Sequence, residues 1–411
     1  MKFEDWEVLN LGDIFDFSSG LSKNAKEFGF GSPFLSFKTI FNNWFIPDEI
    51  TDLANTDEKE QEKCSVIKGD VFLTRTSETI DELGMSCVAL KNYPNATFNG
   101  FTKRLRPKKT DCIYPKFAGY YFRSSKFRSL ITSMSTMTTR ASLNNDMLSR
   151  LPICLPPISV QKAISDILFS LDEKIELNNK INANLEQQAQ AIFKSWFVDF
   201  EPFQNGEFVN SELGMLPKGW KLGNLGQHVS ISTKSFNPKI NPNLTVEHYS
   251  IPAFDENKLP VFEQAKNIKS NKFFVTKETF LISKLNPSTK RIWRPFCVSE
   301  NAVCSTEFIV FTSKNKFHNE FFYSLIDSLF FYDFMNSMVT GSTGSRQRVI
   351  PTSILIFPFA LPPDNIIEDF CCVVSKMFSL IKCNILHNRE LVAIRESLLP
   401  KLMNGEIMVN N

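Results

Sequence analysis

The chain of 411 residues lacks most of what would mark an enzyme or a secreted protein. Its nine cysteines are scattered, none in a Cys-x-x-Cys spacing, and only four histidines accompany them. A disulfide framework and a structural zinc site are therefore not expected, and free thiols in a reducing cytoplasm are. Met1 to Trp6 shows no basic segment leading into an apolar stretch, so no secretory leader is expected. No run of about 18 uncharged apolar residues occurs, so no membrane span is expected either. Gly-x-x-x-x-Gly-Lys-Ser/Thr, His-Glu-x-x-His and Gly-x-Ser-x-Gly are all missing. Gly341-Ser342-Thr343-Gly344-Ser345 has two glycines and precedes no dinucleotide-type helix. Asn286-Pro287-Ser288-Thr289 lacks the second proline and the aromatic of the Asn-Pro-Pro-aromatic motif of amino-methyltransferases. Asp70 and Glu78 form no nuclease-like set with a lysine. The chain is expected to do no covalent chemistry itself. Charge of one sign is missing too: 46 Lys and Arg face 44 Asp and Glu, so the total does not by itself mark a nucleic-acid binder.

Apolar residues at 43% and charged ones at 22% are normal for a globular chain, long enough here for two or three domains. Forty phenylalanines against seven tyrosines and five tryptophans give ample material for bulky cores. The chain also repeats itself. Trp6-Glu7-Val8-Leu9-Asn10-Leu11-Gly12 returns as Trp220-Lys221-Leu222-Gly223-Asn224-Leu225-Gly226, and Leu155-Pro156-Pro157 returns as Leu361-Pro362-Pro363. Between them Gly69 to Leu73 is echoed by Lys277 to Leu281, Arg140 by Arg346, Leu148 by Ile354 and Pro152 by Pro358. An ordered series of this kind implies two tandem copies of a unit of roughly 200 residues. The first part of each copy has short strand-like runs such as Val71-Phe72-Leu73-Thr74. It also holds one stretch of helical spacing, Pro115 to Met134, with Phe321 to Met338 as its echo.

After Leu-Pro-Pro the character changes, and Ser159 to about Phe200 contains no proline or glycine. Alternate steps of four and three from Ile164 give Leu168, Leu171, Ile175, Asn178, Asn182, Leu185, Ala189, Ile192 and Trp196. Adding 206 gives Phe370, Val374, Met377, Ile381, Asn384, Asn388, Leu391, Arg395, Leu398 and Leu402. Both series read as heptad seams with two asparagines in the middle. Polar layers at the same central place can satisfy each other across an antiparallel pair, so an antiparallel coiled coil is expected, each helix roughly 60 Å long. The alternative is that each helix packs on its own globular half with the asparagines in water. Phe193 to Phe203, including Trp196 and Phe197, reads equally as domain core or as a docking face for another protein. Gly405 is a candidate helix stop.

Charge is uneven along the chain. Residues 1–150 carry about +1 and 211–357 about +6, while the two helical segments carry about −4 and −1. The basic residues of the globular parts are thus the candidate nucleic-acid contacts. In the first copy they are Arg75, Lys103, Arg104 and Arg106, beside Lys108, Lys109, Arg123, Lys126 and Arg128. In the second they are Lys284, Lys290, Arg291, Arg294 and Arg348. Two loops at equivalent places add Thr139 and Arg140, and Ser342, Thr343 and Arg346; hydroxyls and backbone N–H groups there suit phosphate, and Arg suits guanine edges.

Across its whole length the chain resembles the specificity subunits of type I restriction–modification systems. The resemblance is carried by Thr139-Arg140-Ala141-Ser142-Leu143-Asn144 through Leu155-Pro156-Pro157 to Gln161-Lys162-Ala163-Ile164, and by Gly341-Ser342-Thr343-Gly344 through Leu361-Pro362-Pro363. Ala191 to Phe200 and Leu398 to Ile407 resemble it as well. Asp364-Asn365-Ile366-Ile367-Glu368 departs from the Gln-Lys-x-Ile pattern and loosens the second helix start. The resemblance implies an α+β fold with two mixed α/β target-recognition domains, residues 1–157 and 205–363. It implies spacer helices over 158–204 and 364–411 that form an antiparallel coiled coil with pseudo-twofold internal symmetry. It implies a cytoplasmic subunit without catalytic residues or metal, which reads one half of a split sequence in double-stranded DNA with each domain. Two methylation subunits and the restriction subunits would then be its partners, and S-adenosylmethionine, ATP and Mg2+ would be used by them rather than by this chain. A self-sufficient DNA-modifying enzyme and a purely protein-binding scaffold are the alternative readings.

Overall fold

The computed structural model describes residues 6–77, 82–134, 141–340 and 347–409, without the side chains of Ser77 and Ala141. The chain forms two compact units, Met1–Leu177 with His387–Asn411, and Asn178–Leu386. Each holds one sheet domain and one half of each long helix.

The repeated sequence elements are the two sides of one ribbon. In the first unit Glu7–Asn10 pairs antiparallel with Pro152–Leu155, Glu7 opposite Leu155 and Asn10 opposite Pro152. In the second unit Lys221–Asn224 pairs with Pro358–Leu361 in the same register. The asparagine of each motif is the N-cap of a one-turn helix, Leu11–Ile14 or Leu225–His228. Asn10 N–H donates to Asp13 at 3.0 Å, and the Asn224 side chain accepts from Gly226 N–H at 3.1 Å. The glycine that follows is required by crowding: a Cβ at Gly12 would stand 2.9 Å from the Ser149 carbonyl oxygen. On the other side of the ribbon the prolines, which have no N–H for a ladder, end the strand, and the long helix starts directly after them.

Behind the ribbon each unit carries a four-stranded antiparallel sheet of the same order. In the first unit this is Phe15–Ser19, Thr102–Pro107, Val71–Thr74, Ser86–Val88, and in the second Val229–Ser232, Phe308–Ser313, Thr279–Ser283, Ile292–Trp293. A second, mixed sheet lies beside each, three-stranded in the first unit and five-stranded in the second. Each of these contains one parallel pair, Phe28–Leu35 with Thr97–Phe98 and Thr245–Tyr249 with Ala302–Ser305.

The stretch of helical spacing in each copy is two helices rather than one: Pro115–Tyr121 then Ser125–Met134, and Asn319–Ile326 then Leu329–Ser337. A serine at the same place makes both breaks. Ser124 Oγ donates to the Tyr121 carbonyl at 2.7 Å and accepts from Phe127 N–H at 3.4 Å; Ser328 Oγ does so with Leu325 at 2.6 Å and Phe331 at 3.3 Å. Each hydroxyl competes for backbone groups that a continuous helix would pair internally.

The long helices run Ile158–Phe197 and Asp364–Met403, 40 residues each. In the first unit Ile164 and Leu168 share a core with Leu399, Leu402 and Met403. In the second, Ala189, Phe193 and Phe197 share one with Ile367, Phe370, Val374, Phe378 and Ile381. The start of one helix thus lies against the end of the other in both units, and the pair is antiparallel. Asn178, Asn384 and Asn388 are buried, Asn178 to 1% exposure, which rules out asparagines turned to water. Asn384 donates to Asn182 at 2.8 Å across the seam. Leu171, Ile175, Leu185, Trp196 and Met377 are half-buried along the same line, and Leu391 is buried. Arg395 breaks the apolar pattern. It donates to Asp172 of the first helix at 2.5 Å and lies 4.9 Å over the Trp44 ring, while the Tyr120 hydroxyl donates to the same carboxylate at 2.6 Å. Glu406 N–H closes back on the Lys401 carbonyl at 2.9 Å, with Gly405 at φ 68° as the stop.

The tail of the first helix is core of the second unit. Phe197 meets Phe321 at 4.9 Å and Phe370 at 5.0 Å, and Trp220 of the repeated motif meets Phe200 at 5.2 Å.

The Asn182–Asn384 bond sets a quantitative expectation. Asn182→Leu or Asn384→Leu alone should each cost about 1–2 kcal/mol in urea denaturation, because each leaves one amide without its partner. The double substitution should cost less than their sum; strictly additive losses would show that the bond contributes nothing.

Candidate nucleic-acid interface

In both sheet domains the chain leaves the central strand at a basic residue. Arg75 follows Val71–Thr74 and Lys284 follows Thr279–Ser283. Arg75 N–H donates to the Phe101 carbonyl at 2.8 Å, and its own carbonyl accepts from Leu143 N–H at 2.9 Å. Lys284 N–H donates to the Glu307 carbonyl at 2.9 Å, and its carbonyl accepts from Val349 N–H at 3.1 Å. Each is therefore fixed by its backbone where three segments cross, one of them the segment that follows a Thr-Arg or Ser-Thr loop. Both side chains are half-buried, and neither has a carboxylate partner among the described residues.

The other basic candidates are spent on the protein. Lys103, Arg104 and Arg106 share the strand Thr102–Pro107. Lys103 donates to Ser19 at 2.9 Å and Asn145 at 2.7 Å, and burial, then the charge of Arg75, lowers its ammonium pKa. Arg104 donates to the Ser65 carbonyl at 2.6 Å. Arg106 grips the fully buried Asp70 with two bonds of 2.7 Å. In the second unit Lys290 pairs with Asp327 at 2.6 Å, Arg291 with Asp255 at 2.6 Å, Arg294 with Glu320 at 2.6 Å and Arg348 with Glu307 at 3.1 Å. Thr139, Arg140, Ser342, Thr343 and Arg346 lie outside the described residues.

The wider basic clusters divide in the same way. Arg123 donates to the carbonyls of Ile40, Phe41 and Asn43 at 2.8–3.0 Å, closing a helix C-terminus, and burial lowers its pKa to about 10. Lys108 and Lys314 are equivalent residues with equivalent tasks: their ammonium groups donate to the carbonyls of Gly12 at 2.6 Å and Gly226 at 2.9 Å. Beside Lys284 stands a residue the sequence reading did not nominate. Asn286 adopts φ 46° and donates its N–H to the Gln347 carbonyl at 2.9 Å, tying the Asn-Pro turn to the strand Arg348–Val349. The Asn-Pro dipeptide was the available signal, since Asn tolerates the left-handed region that such a turn needs.

The nine cysteines are free thiols. Among the described residues no group of three or more His, Cys, Asp or Glu is arranged to hold a metal ion, and no helix is long and apolar enough to cross a membrane.

A duplicated sheet domain, with each copy bound to half of an antiparallel helix pair and each presenting one unspent cation at the same crossing, defines an internally repeated α+β protein. Residues 3–187 match the family described as the type I restriction modification DNA specificity domain. The chain is 28% identical to the specificity subunit of the type I restriction enzyme MjaIX of Methanocaldococcus jannaschii, over 99% of this chain and 94% of that one. It is 24% identical to the HindI specificity subunit of Haemophilus influenzae, over 98% and 100%. The crystal structure of the S subunit from M. genitalium shares its fold, with a TM-score of 0.55, 15% identity, and coverage of 97% and 96%.

The two kinds of arginine should separate in a stability experiment. Arg106→Ala leaves the buried Asp70 carboxylate without its cation and should cost about 3 kcal/mol in chemical denaturation. Arg75→Ala, which breaks no ion pair, should stay within about 0.5 kcal/mol of the parent. An Arg75→Ala loss as large as that of Arg106→Ala would place Arg75 among the structural residues.

Proposed function

We propose that this chain is the DNA-reading subunit of a type I restriction–modification complex and reads a bipartite target, one half with each sheet domain. The observation that carries this is the duplication itself: the same fold twice, with Arg75 and Lys284 at the same crossing, each bonded through its backbone to the segment that follows in sequence a loop of hydroxyl and arginine residues. Phosphate contacts hold such a protein on the duplex and base-edge contacts give it specificity. A protein built from two related readers suits a target built from two half-sites at fixed spacing. The long helices are the spacer in this reading, and their surfaces and ends offer the attachment for two methylation subunits and, through them, the restriction subunits. The chain contributes recognition and no catalysis. S-adenosylmethionine, ATP and Mg2+ belong to the partner subunits, which act on host DNA in the cytoplasm.

Two outcomes test this. With the methylation subunits present, Arg75→Ala and Lys284→Ala should each weaken duplex binding about tenfold and lower the slope of log affinity against log salt by about one. Each should also relax methylation at only one half of the target, mapped by long-read sequencing. Affinity and slope equal to those of the parent would remove these residues from the interface. The second outcome concerns the helices. Insertion of one heptad after Asn182 together with one before Asn384 preserves the seam and adds about 10 Å of helix. The spacer should grow by about three base pairs at 3.4 Å each, with both half-sites unchanged; altered half-site bases would defeat the spacer reading.

A further inference from the structure

A cleft of about 270 Å3 in the second unit lies between the second long helix and the sheet domain, away from the Lys284 crossing. Four cations from four separate elements line it. Lys277 precedes the strand Thr279–Ser283, Arg294 follows Ile292–Trp293, Lys316 opens a short turn before the helix Asn319–Ile326, and Lys382 comes from the long helix. Two carboxylates face them. Glu320 accepts from Arg294 at 2.6 Å, and Glu278 stands 4.0 Å from Lys277. The lining therefore carries a formal +2, and Lys316 and Lys382 have no carboxylate partner among the described residues.

Cations gathered this way repel each other unless an anion joins them. The Arg294 guanidinium is itself only half matched. It is held over the Phe378 ring at 4.4 Å with one nitrogen on Glu320, while Nη1 is buried without a hydrogen-bond acceptor. Neutral donors complete the lining, among them the Asn319 amide.

We propose that this cleft binds a phosphomonoester or inorganic phosphate dianion. The charge decides the class. A phosphate monoester carries about −1.5 to −2 at neutral pH and matches the +2 of the lining. A nucleic-acid backbone diester or a protein carboxylate carries a single charge and leaves it unmatched. Three mobile ammonium groups suit an oxyanion as point charges that can close from different directions. Seated there, the anion ties the long helix to the second sheet domain through Lys382 on one side and Lys277 and Lys316 on the other. This site is independent of the DNA-reading proposal, and either can fail alone.

The test is calorimetric titration of the full chain at constant ionic strength, with chloride as the balancing ion. Inorganic phosphate and AMP should each bind saturably at one equivalent; AMP binding much more tightly would identify a nucleotide as the source, and equal affinities would identify free phosphate. Lys316→Gln with Lys382→Gln should weaken phosphate binding at least about tenfold, and Glu278→Gln should tighten it several-fold by removing a like charge. Dimethyl phosphate, which carries the single charge of a diester, should bind at least about tenfold more weakly than phosphate. Absence of saturable phosphate binding, a double variant that binds as the parent does, or equal affinity for dimethyl phosphate would each overturn the proposal.

Discussion

The pairing of two short strands that lie about 140 residues apart in sequence is the constraint on which the rest of each unit depends. Glu7–Asn10 meets Pro152–Leu155, and Lys221–Asn224 meets Pro358–Leu361. Closing so long a loop is entropically costly, and two-stranded ribbons have little of their own to offset it. Their sequence compensates at both ends. Asparagine caps a helical turn immediately after one strand, glycine lets that turn approach the opposite segment, and Lys108 or Lys314 reaches in to bond the glycine carbonyl. On the other strand two prolines stop the ladder and release the chain into the long helix. The sheet domain and the helix are thereby joined at a fixed junction, twice.

This explains which parts were legible in the sequence. The ribbon motifs could be seen as repeats because backbone demands at caps, tight approaches and ladder ends admit few residue types. The helix seam could be seen because its period is local, and burial of Asn178, Asn384 and Asn388 follows from their places on it. The helix breaks at Ser124 and Ser328 were hidden under an apolar spacing that runs through them, since a serine inside a helical pattern gives no sign of whether it caps. The charged residues were the least legible. Arg106 and Asp70 are 36 positions apart, Arg291 and Asp255 also 36, and Arg348 and Glu307 41. Nothing local distinguishes an arginine that holds a remote carboxylate from one left free for a phosphate. Clusters such as Lys103 to Arg106 look like a surface patch in one dimension and form an interior lattice in three.

The excess of phenylalanine has a comparable account. Phe193, Phe197, Phe321 and Phe370 meet edge to face or tilted within the second unit, in the arrangements that aromatic quadrupoles favour. The segment from Phe193 to Phe203 had read equally as core or as a docking face; Phe193 and Phe197 are core, while Trp196, Phe200 and Phe203 are half-buried against it. Leu329 and Phe330 on the adjoining helix are exposed.

The two copies share a backbone but not the chemistry at the joint between helix and domain. Asp172 of the first helix corresponds to Phe378 of the second by the repeat offset of 206. In the first unit Asp172 collects Arg395 and the Tyr120 hydroxyl, with Trp44 beneath the guanidinium. In the second, Phe378 is itself the platform, with Arg294 at 4.4 Å and Tyr323 at 5.2 Å. Both solutions use an arginine against an aromatic ring, which tolerates little lateral shift because the attraction falls away from the ring face. One draws its counter-charge from the helix and the other from Glu320 of the domain. In the first unit both charges of the pair belong to the helices and the domain supplies a ring and a hydroxyl, whereas in the second both charges belong to the domain and the helix supplies the ring.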